Sequence, residues 1–180
     1  MAVHIMHDIE TLSTENNALI LSIGAVKFDH EHIIEKFEVA IFADDAQKYG
    51  LHIDAKTVVD FWFDPKRDEA RRAYLEQGKV DLFSALDGYA MWVRQTAQAD
   101  LGSAWANGAT FDHIKLESAY KACKLDFPFT YKQQECYRTI SNRFKDVPFE
   151  RRGTHHAAID DAESQAVHLM QINAVHNLGL

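Results

Sequence analysis

A chain of 180 residues that is 47% apolar, with 11 Phe, 6 Tyr and 3 Trp, has ample side chain for one buried core, and 8 Gly with 3 Pro leave little for linkers. The formal charge of −8 argues against a basic nucleic-acid coat protein. It does not argue against a nucleic-acid enzyme, whose cation-holding carboxylates are themselves acidic. Cys123 and Cys136 make no close-spaced pair, which argues against zinc-ribbon and redox-motif readings, and no run reaches transmembrane length. The expectation is a soluble cytoplasmic protein with no membrane contact and a single domain over residues 1–180.

In chain order, Val3, Ile5 and Ile9 alternate with His4, Met6, Asp8 and Glu10, the period-2 pattern of a strand. The run ALILSIGAVKF (18–28) reads as a buried strand, and IIEKFEVAIF (33–42) as its hairpin partner across the turn DHEH. Helices are expected at 57–62, 65–77 and 81–97, the second opened by a proline and the third apolar at helical spacing. GSAWAN (102–107) reads as a strand followed by a helix through Ile114, Leu116, Ala119 and Ala122; QQECY (133–137) reads as a last strand and 158–176 as a last helix. Three strands followed by alternating helices and strands predict an α/β fold, a mixed sheet covered by helices.

Three stretches carry candidate chemistry. Asp8 and Glu10 stand two apart at a strand end, so both carboxylates face one side and repel unless a cation, proton or base intervenes. Asp112 heads a helix just after Asn107-Gly108, where it also serves as an ordinary first-turn acid. HHAAIDDA (155–162) offers two histidines and two aspartates, and the i, i+4 spacing pairs His156 with Asp160. Taken alone, Asp8 with Glu10 reads better as a solvated strand end and Asp112 as a first-turn acid, and HHAAIDDA also fits an acidic helix start.

Their order is more specific than any one of them. IMHDIET, then NGATFDHIKL, then HHAAIDDA resembles the DnaQ-like 3′–5′ exonuclease superfamily, in the DEDDh branch named for four acidic residues and a histidine. The likeness spans roughly residues 3 to 173 and is similar in detail to phage DexA and bacterial exoribonuclease-type domains. KTVVDFWFDPKRDEARR looks like that group's T-x-x-W-W with a charged helix, and CYRTI like its D-I-R-T element. Cys136 departs from the Asp common there, and Asn107 lies one residue early.

The resemblance implies a ribonuclease H-like mixed sheet, with a three-strand antiparallel start and then parallel strands. It implies that Asp8, Glu10, Asp112 and Asp161, rather than Asp160, gather two Mg²⁺ or Mn²⁺ ions, and that His156 is the general base. Carboxylates without a thiol cluster suit such hard cations. Two ions about 4 Å apart can clamp the attacking and leaving oxygens of an in-line displacement. The implied substrate is the 3′ end of single-stranded DNA or RNA, and the product a nucleoside 5′-monophosphate. Ile9 and Thr11 are expected to hold the terminal nucleotide, Leu12 to wedge against its base, Trp62 to stack and Arg138 to meet phosphate or carboxylate. Phe111 is expected in the core, Arg151 and Arg152 near the site, and a homodimer is the group's expectation. A non-catalytic relative that binds nucleic-acid ends, and a phosphodiesterase specialised for very short oligonucleotides, stay open as other readings.

Overall fold

The structure is a computed structural model that describes residues 2–96, 100–108 and 110–180. Six strands form one sheet: β1 (Val3–Thr11), β2 (Ile20–Phe28), β3 (Ile33–Ile41), β4 (Lys79–Val80), β5 (Leu101–Ala106) and β6 (Gln134–Cys136), in the order β4-β3-β2-β1-β5-β6. β1, β2 and β3 pair antiparallel, while β4, β5 and β6 each join their neighbour parallel. The α/β mixed sheet expected from the sequence is therefore present.

Every residue of β2 is buried, which accounts for its largely apolar sequence: a central strand covered on both faces has no solvent-facing polar side to alternate with. Period 2 along β1 splits its side chains between two cores. Ile5 and Ile9 join Leu86, Tyr89, Leu116 and Tyr120 from α3 (Leu82–Arg94) and α4 (Asp112–Ala122). Met6 joins Val26, Trp105, Ala162, Ala166 and Leu169 on the face covered by α6 (Ala158–His176). Asp8 and Glu10 share the parity of Met6, so they point toward α6.

One contact sets the height of α6 above the sheet. Gly24 lies opposite Asp8 in the β1–β2 register, and a Cβ placed there would sit 2.1 Å from the Ile159 nitrogen and 2.2 Å from the Ala158 carbonyl carbon. Backbone therefore lies directly on backbone where the two carboxylates project. The β1–β2 register also slips between Glu10 and Thr11, a bulge of the kind that re-aims side chains at sites.

Several elements differ from the sequence expectation. Residues Thr57–Trp62 form a π-helix, and 65–77 divides into a 3₁₀ turn (Pro65–Arg67) and α2 (Asp68–Glu76). The third helix ends at Arg94, and Ala97 lies outside the described residues. The strand expected at 133–137 is only Gln134–Cys136, and Tyr137 opens a helix, α5 (Tyr137–Arg143). The short α1 (Ala43–Gln47) and β4 were not anticipated, because five and two residues are too few to show a period.

Candidate active site

Asp8 and Glu10 from β1 and Asp161 from the first turn of α6 converge so that one oxygen of each lies within 4.8 Å of the others. Asp112 enters from the first turn of α4, where its Oδ1 accepts the Ile9 backbone N–H at 3.3 Å, while its buried Oδ2 has no partner among the described residues. Gln165, one helical turn after Asp161, donates to Asp8 Oδ1 at 3.1 Å. All four acids line one cavity of about 700 Å³ together with His155, His156 and Phe61.

These carboxylates are short of positive charge. Burial, then the charges of Asp112 and Asp161, holds the Asp8 carboxyl well above the usual range. Burial, then Asp8, does the same to Glu10. Burial pushes Asp112 up to about 7 against the Ile9 N–H, its own N–H, Lys115 and Arg138. Among the described residues, Asp161 alone of the four has a direct Lys or Arg partner, the Arg151 guanidinium on its Oδ1. A set of oxygen donors that repel one another, with one lone pair unclaimed on Asp112, fits hard divalent cations.

His156 sits in the turn that precedes α6, with φ of 67°. A left-handed backbone is uncommon for a non-glycine residue and persists where neighbours hold it. Here the His156 N–H donates to Asp161 Oδ2 at 2.9 Å, which locks the histidine to the carboxylate five residues on. Its ring lies 3.7 Å from that of His155 in a stacked pair and meets the Phe61 edge at 5.0 Å. Nδ1 is 3.8 Å from Glu10 Oε1 and the buried Nε2 has no partner among the described residues. Burial, followed by His155, Arg67 and Arg151, lowers its pKa to about 4, so the ring is neutral at pH 7.

The two aspartates of HHAAIDDA divide by direction. Asp161 faces the other acids, while Asp160 Oδ2 accepts the Thr154 N–H at 2.7 Å and closes the turn ahead of the helix. The pairing of His156 with Asp160 by i, i+4 spacing fails because His156 precedes α6. His155 stacks on His156 rather than meeting Asp160.

The residues expected to bind substrate fare unevenly. Ile9 and Thr11 line the cavity, and the Thr11 hydroxyl donates to the Ser13 carbonyl at 2.8 Å. Arg138 lines it too, held by the Asn107 carbonyl at 2.6 Å. Leu12 instead packs against the core, and the wall there is Ser13 and Thr14. Trp62 is corrected: it is 4% exposed and its indole N–H donates to the Thr11 carbonyl at 2.8 Å, so no ring face is left for a base. Phe61 is the member of the aromatic trio that reaches the cavity, and Phe63 points to solvent. Phe111, expected in the core, stands in the cavity wall beneath the Lys115 ammonium. Arg151 is at the cavity, whereas Arg152 and Cys136 are not among its lining. Gln165 was missed, although its place four residues after Asp161 was the available signal.

A family model for the 3′–5′ exoribonuclease Rv2179c-like domain matches residues 3–173. The chain belongs to that family. This exonuclease domain is also similar to solved structures. The nuclease domain of 3′hExo, a DEDDh family member, bound to rAMP, superposes with a TM-score of 0.64 at 11% identity, covering 98% of this chain and 92% of that one. A 3′-exonuclease recognising the histone mRNA stem-loop gives 0.62 at 12% identity, with 98% and 82% covered. Exonuclease X in complex with 5′ overhanging duplex DNA gives 0.56 at 16%, with 98% and 93% covered. At such identities the likeness is one of fold, the ribonuclease H-like sheet of DEDDh exonucleases. No curated protein matches the chain. Among the described residues no helix is long and apolar enough to cross a membrane.

Proposed function

We propose that this 3′–5′ exonuclease hydrolyses the 3′-terminal phosphodiester of single-stranded nucleic acid and releases a nucleoside 5′-monophosphate. The family description favours RNA over DNA. The observation that carries the reading is the meeting of Asp8, Glu10 and Asp161, with Asp112 and His156, in one cavity. We read residues 1–180 as one catalytic domain, cytoplasmic and homodimeric in keeping with its group.

Asp8, Glu10, Asp112 and Asp161 would hold two divalent cations, Mg²⁺ or Mn²⁺, which when bound supply electrophilic polarisation of the phosphoryl oxygens. The chain's own residues do the rest. His156 is neutral at pH 7, so its imidazole is in the form that can accept a proton from the attacking water. The Asp161 carboxylate fixes its backbone, and the His155 and Phe61 rings fix its plane. Gln165 keeps the Asp8 carboxylate from rotating. The departing group is the 3′-oxygen of the penultimate nucleotide.

The test is side-by-side digestion of matched single-stranded RNA and DNA labelled at the 3′ end, with Mg²⁺ or Mn²⁺. Mononucleotide release is expected, and Asp8→Ala is expected to abolish it. Binding of the strands without turnover under both cations would overturn the proposal.

A further inference from the structure

The charged stretch PKRDEARR (65–72) contributes nothing to the cavity's lining, yet three of its side chains reach the catalytic turn or the π-helix beside it. Arg71 donates to the Trp62 carbonyl. Glu69 accepts the Thr154 hydroxyl at 2.9 Å, two residues ahead of His156. Arg67 lays its guanidinium over the Phe61 ring, 4.7 Å from the centroid. Asp64 fixes the turn that carries Arg67 by accepting the Lys66 N–H at 2.9 Å, and Pro65 opens that turn.

These contacts end on the histidine. Guanidinium lies on the Phe61 face, Phe61 stands at 80° to the His156 ring at 5.0 Å, and His155 stacks on His156 at 3.7 Å. An edge-to-face contact is directional, so it orients the imidazole only while Phe61 itself keeps its plane. A cation on the ring face supplies that hold.

Two other roles for Arg67 fit less well. A solvated arginine that merely rests on an aromatic keeps its donors in water, but Arg67 Nε is buried and has no partner among the described residues. That buried donor carries a cost, which the contact with Phe61 offsets. An arginine that grips substrate would stand in the cavity wall, and Arg67 does not.

We propose that Arg67 is a positioning residue for the general base, holding the Phe61 ring edge-on against His156 so that the imidazole stays aimed at the attacking water. It serves proton acceptance rather than the binding of cation or strand. The inference rests on the exonuclease reading and extends it to a residue outside the cavity.

The test is Arg67→Met, which keeps most of the stem and removes the guanidinium. A reacting group misplaced by about 1 Å can cost roughly 100-fold, so kcat at saturating Mg²⁺ should fall about 10- to 100-fold. KM, and Ca²⁺ affinity by calorimetry, should stay within a few-fold. In a His156→Ala background no base is left to position, and Arg67→Met should lower the residual rate by less than about two-fold. Phe61 is left intact because its ring also lines the cavity. A readout without turnover is the nuclear Overhauser effect between the Phe61 and His156 ring protons, which should weaken several-fold in Arg67→Met. A rise in KM with kcat unchanged, an equal rate loss in both backgrounds, or an undiminished Overhauser effect overturns the positioning role. If no strand is hydrolysed by any of these proteins but the Overhauser effect weakens, the hold of Arg67 on the ring pair stands and the exonuclease reading falls.

Discussion

Asp161 receives the His156 backbone N–H on one oxygen and the Arg151 guanidinium on the other, whereas its neighbour Asp160 turns outward to the Thr154 N–H. Asp161→Asn is therefore expected to leave no measurable nuclease activity. Asp160→Asn should keep activity within a few-fold and lower stability by about 1 kcal/mol, read by chemical denaturation. Asp112 carries a second consequence. Its folded-state pKa near 7 lies above the ordinary 3.8, so the folded state binds the extra proton between those values. Stability from this group is whole below about pH 4 and is lost as pH rises toward 7. In chelator, Asp112→Asn should melt with the natural chain near pH 4 and several degrees above it at pH 8. The buried His4, His7, His113 and His156 act oppositely on acidification, but they are common to both proteins and cancel in the difference. Mg²⁺ should raise the melting temperature of the natural chain more than that of the variant. The acids and His156 were legible because their types and order are tied to one chemistry. Trp62 and Phe61 were not separable, since assigning them requires the phase of a π-helix that no period announces.

At the scale of elements, the strands and long helices were legible where a full period repeats, as in β1 and α3. The boundary at Cys136–Tyr137 was not, because three strand residues run directly into a helix without a Gly or Pro between them. Tyr137, Arg138 and Ser141 line the cavity from that unannounced helix, a shared face that the strand reading of 133–137 hid. The contact of α6 on β2 was hidden too: Gly24 inside a strand reads as a weak position until its neighbour is known. Gly24→Ala must lift α6 away from the sheet, since the atoms in the way are backbone. We expect a loss of about 1–3 kcal/mol, and activity lowered about 100-fold or more by displacement of Asp161. Gly88→Ala is the contrast: it lies inside α3, and an added Cβ meets nothing within 4 Å. Thermal melts should show it stabilised by roughly 0.5–1 kcal/mol.

At the scale of the molecule, a chain of charge −8 whose cavity lining includes Arg138 and Lys145 as its cations not ion-paired among the described residues should show shallow salt dependence. Two neutralised phosphates on a single strand give a slope of log K against log[salt] of about −1.4, far from that of a protein coating its substrate. Strands longer than a few nucleotides should then bind little more tightly than short ones, as fluorescence anisotropy with a length series would show. The close seat of α6 on Gly24 also bears on how this protein comes to exist in a cell. β1 and α4 supply Asp8, Glu10 and Asp112, but Asp161 reaches them only when a helix made roughly 150 residues after β1 closes on the sheet. A nascent chain that has emerged only through β6 therefore holds a sheet and three acids with no competent centre. The carboxylate cluster is thus completed only by the last helix to be made.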